Sequence, residues 1–220
     1  MPDFEKRLII IAHPDDEVLW AGGLIAKFPG EWSILLCGSP VDEPWRNNNF
    51  LSSCEVLGAK PILLSAKDKG ENYPLDLSAI DSKLINQFDH IITHGKNGEY
   101  GHAHHKQVHE AVLKLTPLNQ LTFFAYSFDN RILRPNGDHL INLSSSEVEK
   151  KLKALKQYHQ PLRSLKHKHK RKKISFWKRF FISKKQLPIV PQHENLYFKF
   201  CIQHQLEFSV ESYSGYWPFK

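Results

Sequence analysis

Five short apolar runs, Leu8 to Ala12, Trp32 to Cys37, Pro61 to Leu64, His90 to Thr93 and Leu121 to Tyr126, are separated by stretches of a different rhythm. In those stretches, Glu17 to Phe28, Trp45 to Leu57, Leu77 to Phe88 and His104 to Leu115, apolar residues recur every three or four positions, the period of a helix with one buried face. A run apolar at every position suits a strand covered on both sides, which is the condition of a parallel sheet wrapped by helices. The alternation therefore predicts an α/β fold: a Rossmann-like, doubly wound, mostly parallel sheet flanked by helices. Gly30, Gly58 with Pro61, and Thr116 with Pro117 close the helical stretches. A further helix is expected over Ser146 to Tyr158, with Ser146 and Glu149 as a capping box. Beyond it, Leu196 to Ile202 and Gln205 to Val210 alternate as late C-terminal strands.

At 220 residues the chain buries one sizeable core, so a single domain over 1–220 is expected. No run approaches the roughly 18 apolar residues of a membrane-spanning helix. Asp15 and Asp16 follow the first apolar run at once, which suits a buried strand and not a signal peptide, so the cytoplasm is the expected location. Cys37, Cys54 and Cys201 are odd in number and show no metal-like pairing, and each reads as a small buried residue.

The charge is concentrated. Between Lys150 and Lys185 lie 15 of the 30 basic residues and no acid, leaving 15 basic against 23 acidic side chains elsewhere. Within that segment, a basic and aromatic insertion near 163–185 sets Phe176, Trp177, Phe180 and Phe181 beside Lys178 and Arg179. That composition suits peripheral contact with an anionic membrane or a lipid-linked substrate, and equally a solvated loop. No nucleic-acid recognition motif accompanies the charge, so nucleic acid is not an expected partner.

Two places carry chemistry. The first is Ala12-His13-Pro14-Asp15-Asp16-Glu17, directly after the first strand, where open α/β sheets place their active sites. Imidazole nitrogen and carboxylate oxygen suit a divalent metal such as zinc, and a second carboxylate can stay off the metal to handle protons. Acids in a first helical turn also serve the helix dipole or cap free N–H groups. The second is Tyr100-Gly101-His102-Ala103-His104-His105, with His109 beyond, after the fourth strand. His102 and His105, or His105 and His109, can share a helix face, while His104 and His109 also read as ordinary surface or core histidines. Two segments that each offer ligands, with one position left for water, make the layout of a catalytic zinc site. A dinucleotide enzyme is disfavoured, because the first strand runs into HPDDE and not into Gly-x-Gly-x-x-Gly.

AHPDDE at 12–17 followed by Gly-His-x-x-His-x-x-Val at 101–108 resembles the zinc-dependent de-N-acetylases of the PIG-L/LmbE-like family, which remove acetyl groups from N-acetylglucosaminyl conjugates. Weaker matches are Arg46, on a stretch ending in Leu57-Gly58 with Asn49 where the family often has glutamate; the turn Pro74-Leu75-Asp76; and Lys153 through Gln160, with His159 in place of serine. The resemblance covers about residues 7–160. It implies a hydrolase in which His13, Asp16 and His105 bind Zn²⁺ and Asp15 is the general base. It further implies His102 as a protonated stabiliser of the oxyanion, with Tyr100 donating to the same oxygen. The implied substrate is an N-acetylated amino sugar conjugate. Arg46 suits a phosphate or carboxylate on it and Asp76 suits sugar hydroxyls. The family usually has aspartate between its two histidines, where His104 stands here; that acid would help keep His102 charged. The competing expectation is a sugar- or nucleotide-binding protein of the same fold without activity.

Overall fold

The structure is a computed structural model that describes residues 6–129, 132–158 and 209–219. In chain order the strands are β1 (Arg7–Ile11), β2 (Trp32–Pro40), β3 (Lys60–Asp68), β4 (His90–Thr93), β5 (Leu121–Phe124), β6 (Tyr126–Asp129), β7 (Ile132–Pro135), β8 (His139–Asn142) and β9 (Val210–Gly215). The helices are α1 (Asp16–Lys27), α2 (Trp45–Leu57), α3 (Ser82–Ile85), the single turn α4 (Gly98–Gly101), α5 (Ala103–Leu113) and α6 (Ser145–Leu155). The main sheet has the order β3-β2-β1-β4-β5-β9-β8, parallel from β3 to β5 and antiparallel at β9 and β8. The doubly wound fold expected from the alternation is therefore present, extended at one edge. The chain winds outward from β1 to β3 and then returns to place β4 on the other side of β1. The neighbouring carboxyl ends of β1 and β4 form the switch point at which such sheets open a binding crevice.

Both faces of the sheet are covered, which is why β1 is apolar from Leu8 onward. Ile9 and Ile11 pack with α1, α2 and α6, while Leu8 and Ile10 pack with Val108 and Val112 of α5. The described Cys37 and Cys54 are buried and free.

Four expectations need correction. Only α3 is helical within Leu77 to Phe88, because the Asp81 side chain caps the Leu84 N–H and starts the helix there. The run Leu121 to Tyr126 divides at Ala125, whose N–H and C=O bond Ser212 and Asn136 and turn the chain into β6. The capping box of α6 is Ser144 with Glu147, not Ser146 with Glu149; both pairs have the required spacing, and the earlier one starts the helix sooner. The late strand is Val210–Gly215, sharing only Val210 with the expected one. Strands β6, β7 and β8 were not foreseen. The expected strand at 196–202 and the basic segment from residue 159 onward lie outside the described residues. No helix among the described residues is long and apolar enough to cross a membrane.

Helix α1 is gripped in its middle by β9 and α6. The Gly23 and Leu24 N–H groups donate to the two carboxylate oxygens of Glu211 on β9, each at 2.7 Å. The Leu19 and Trp20 carbonyls, one turn earlier, accept from Lys151 Nζ at 3.0 Å and Tyr213 Oη at 2.8 Å. Lys151 and Glu211, both almost wholly buried, meet at 2.6 Å. Gly23 leaves the room for this: a Cβ there would lie 2.3 Å from the Leu143 side chain and 2.8 Å from Glu211.

At the start of β4, buried His90 donates from Nε2 to Thr122 Oγ1 at 2.8 Å, and Thr122 donates on to the Tyr216 carbonyl. Burial, reinforced by the Arg7 guanidinium, lowers the His90 pKa from 6.5 to about 3. The unfolded chain takes up this proton from about pH 6.5 downward and the folded chain only near about pH 3, so the contribution to stability is whole above the first value and is lost between them. Urea unfolding should show the midpoint falling as the pH drops through this window, with a flatter dependence for His90→Gln.

Candidate active site

Beyond β1 the chain makes a tight turn. Gly38 N–H donates to the Ala12 carbonyl at 2.8 Å, an approach that a Cβ on Gly38 would block because it too would lie 2.8 Å from that oxygen. Asp15 takes a left-handed conformation (φ 119°). The turn is held from below by Glu17, which accepts from the Asp15 N–H at 3.0 Å and is itself anchored by Ser53 Oγ and Tyr158 Oη. Burial outweighs those hydrogen bonds and raises the Glu17 pKa to about 7. Among the described residues only Asp15 and Glu99 combine a side chain with positive φ, and both belong to this site, where such strain concentrates.

The turn meets the segment beyond β4. His13 Nδ1, Asp16 Oδ2 and His105 Nε2 form a triangle with edges of 3.2 Å (His13 to His105) and 3.4 Å (His13 to Asp16 and His105 to Asp16). All three residues are buried. The second oxygen of Asp16 accepts from Trp20 Nε1 at 2.9 Å. His105 Nδ1 donates to Glu99 Oε2 at 2.5 Å, and His94 Nδ1 donates to the same oxygen at 2.9 Å. That leaves His105 Nε2 with its lone pair toward the triangle, the arrangement in which an outer carboxylate orients a metal-binding imidazole. His94 Nε2 accepts the Ala12 N–H at 2.9 Å, so its lone pair is already used. Burial alone would raise the Glu99 carboxyl, yet His94 and His105, both donating to it from Nδ1, hold it at about 2.

An open cleft of about 370 Å³ leads to this triangle. Its walls include His13, Asp15, Asp16, Tyr100, His102 and His104, along with Arg46, Glu43, Asp68 and Glu71. Burial pushes the Asp15 carboxyl well above its ordinary value, only partly opposed by Arg46. Tyr100 packs edge-on against His102 and His105. A His102 ring nitrogen lies within 4.8 Å of those of His13 and His105.

Three expectations change in detail. His102 is not set up for the charged form expected of it: its Nδ1 accepts the His104 N–H at 3.2 Å, and burial together with His13 and His105 lowers its pKa to about 3. Arg46 lines the cleft but serves the turn, donating to the Pro14 carbonyl at 2.6 Å and lying 3.4 Å from Asp15 and 3.8 Å from Glu43. Asp76 does not line the cleft; its exposed carboxylate accepts the Ser78 N–H at 3.1 Å and closes a turn. Glu99, His94 and Asp68 were not foreseen, and Glu17 was foreseen only as part of the first motif, without a role. His94 stands directly after β4, and the rule that singled out the residues after β1 applies to it equally.

Histidine and carboxylate donors gathered at the switch point of a doubly wound sheet define the class, an α/β protein with a metal-type centre. Residues 8–116 match the family described as GlcNAc-PI de-N-acetylase (PIG-L), and the chain belongs to that family. It is 25% identical over 145 residues to the 1D-myo-inositol 2-acetamido-2-deoxy-alpha-D-glucopyranoside deacetylase of Corynebacterium diphtheriae, a match covering 47% of this chain and 50% of that one. The chain spans between half and two thirds of the length of the curated relatives it matches. Two solved structures share the fold with a TM-score of 0.53 over 70% of this chain. One is N,N'-diacetylchitobiose deacetylase from Pyrococcus horikoshii, at 18% identity and 70% of that chain. The other is the 4-carboxy-2-hydroxymuconate hydratase GalB from Pseudomonas putida, at 16% identity and 78% of that chain.

Proposed function

We propose that the chain is a zinc-dependent de-N-acetylase that hydrolyses the acetamide of an N-acetylated amino sugar conjugate. The triangle of His13 Nδ1, Asp16 Oδ2 and His105 Nε2, open to a cleft with Asp15 alongside, carries this reading. Donors about 2.0–2.1 Å from a tetrahedral zinc stand about 3.3 Å apart, close to the edges of this triangle. Bound there, zinc would polarise the amide carbonyl and lower the pKa of a coordinated water toward about 7.

The chain's own residues supply the rest. Asp15 takes a proton from the attacking water and passes it to the leaving nitrogen, so that acetate and a free amine are released. The His102 N–H and the Tyr100 hydroxyl donate to the carbonyl oxygen as it gains charge. Arg46 keeps the Asp15 turn in place through its bond to the Pro14 carbonyl. Glu43, Asp68 and Glu71 on the cleft wall take over the role in binding sugar hydroxyls that the sequence reading gave to Asp76.

Likeness to a hydratase as well as a deacetylase speaks for the fold alone, so the reaction has to be observed. Incubation with a panel of N-acetylhexosamine conjugates should release primary amine and acetate in equal amounts. The release should stop on adding a chelator and return with zinc. A zinc-loaded chain that binds such sugars yet releases no amine would instead be the inactive binding protein.

A further inference from the structure

His13 has each ring nitrogen next to another imidazole: Nδ1 is 3.2 Å from His105 Nε2, and Nε2 is 3.0 Å from His104 Nδ1. The far end of this chain of rings decides where the protons sit. His104 Nε2 lies 2.8 Å from the Tyr73 carbonyl, which can only accept, so His104 carries its proton on Nε2. Its Nδ1 is then an acceptor, and His13 donates to it from Nε2. The lone pair of His13 is thereby left on Nδ1, facing Asp16 Oδ2 and His105. Asp68 does not compete for these nitrogens, since its oxygens stay 3.8 Å from His13 Nε2 and 3.9 Å from His104 Nδ1.

Tyr73 belongs to a loop that also supplies Gly70 and Glu71 to the cleft wall. Helix α5 grips that loop at three points. Glu71 accepts the Ala103 N–H at 3.1 Å, His104 reaches the Tyr73 carbonyl, and Gln107 accepts from the Leu75 N–H at 3.0 Å. Of the three, only His104 also touches the triangle. An aspartate at this position could accept from His13 but could not pass a hydrogen bond on to a carbonyl. An imidazole does both.

We propose that His104 is a positioning residue that fixes the His13 tautomer for metal binding and ties that ring to the loop walling the cleft. The proposal rests on the metal reading of the site. Two measurements on the full chain test it: zinc affinity by competition with a chromophoric chelator, and amide hydrogen exchange over residues 70–76. His104→Phe keeps a ring but removes both bonds, and should weaken zinc binding by about 10–100-fold, the usual cost of losing an outer partner of a ligand. His104→Asn retains an acceptor near His13 but falls short of Tyr73. It should hold zinc within about threefold of the unsubstituted chain while exchange in the loop accelerates. If the Phe variant does not fold, His104→Gln replaces it; Gln keeps a donor toward Tyr73, loses the acceptor for His13, and should weaken zinc binding without loosening the loop. Unchanged zinc affinity in a folded Phe or Gln variant would overturn the positioning role. Unchanged loop exchange in the Asn variant would overturn the tie. An unsubstituted chain that binds no zinc would remove the metal reading itself, a result distinct from either.

Discussion

Substituting Asp15 by asparagine should lower kcat by about 10²- to 10⁴-fold, the contribution of the positioned proton-transfer group proposed above, while the proposed zinc stays bound. Asparagine is the informative replacement because it tolerates the left-handed backbone at this position, where alanine would add strain to the loss of the carboxylate. It also keeps a polar group beside Arg46. Alanine at His13, Asp16 or His105 behaves differently, removing zinc and activity together, since each contributes an atom of the triangle. Elemental analysis beside turnover with a soluble N-acetylated sugar separates the two outcomes. Zinc lost from the Asp15 variant and kept in the Asp16 variant would exchange the roles of the two acids.

The second large effect lies away from the cleft. Glu211→Ala destabilises the fold by about 3–5 kcal/mol, the cost of stranding one partner of a buried ion pair. The variant leaves the Lys151 ammonium without its carboxylate and strips acceptors from the Gly23 and Leu24 N–H groups. Lys151→Met should cost less, because Glu211 keeps the Gly23 and Leu24 N–H donors. Urea unfolding of the two single variants and the double variant measures the coupling; additive costs would mean that the pair does not act as a unit.

The sheet could be read from the sequence because its central strands are buried on both faces and so are apolar at every position, as Leu8, Ile9, Ile10 and Ile11 are. Strands β6 and β7 are short and pair with each other outside the main sheet, which leaves little pattern to find. The cleft was legible where chemistry-bearing residues cluster along the chain, as in His13 to Glu17 and His102 to His105. It was not legible where a single acid acts at a distance. Glu99 is an isolated carboxylate between glycines, and its part in holding His94 and His105 appears only once the two rings converge on it. The order of hydrogen bonding among histidines was hidden as well, since spacing along the chain does not show that the fold turns the His104 ring toward His13.

The grip on the middle of α1 ties the first motif of the chain to its last described strand. Lys151, Glu211 and Tyr213 reach the helix that begins at Asp16 from far along the chain, the last of them 193 residues downstream of its partner Trp20. During synthesis the amino-terminal half would thus leave the ribosome with the turn proposed to hold the metal on a helix that β9 does not yet grip. A fragment that stops before residue 209 would retain every proposed metal and proton-transfer residue and still lack the groups that set the helix beneath them. The proposed site residues are thus made early, while the last groups that brace the helix beneath them are made late.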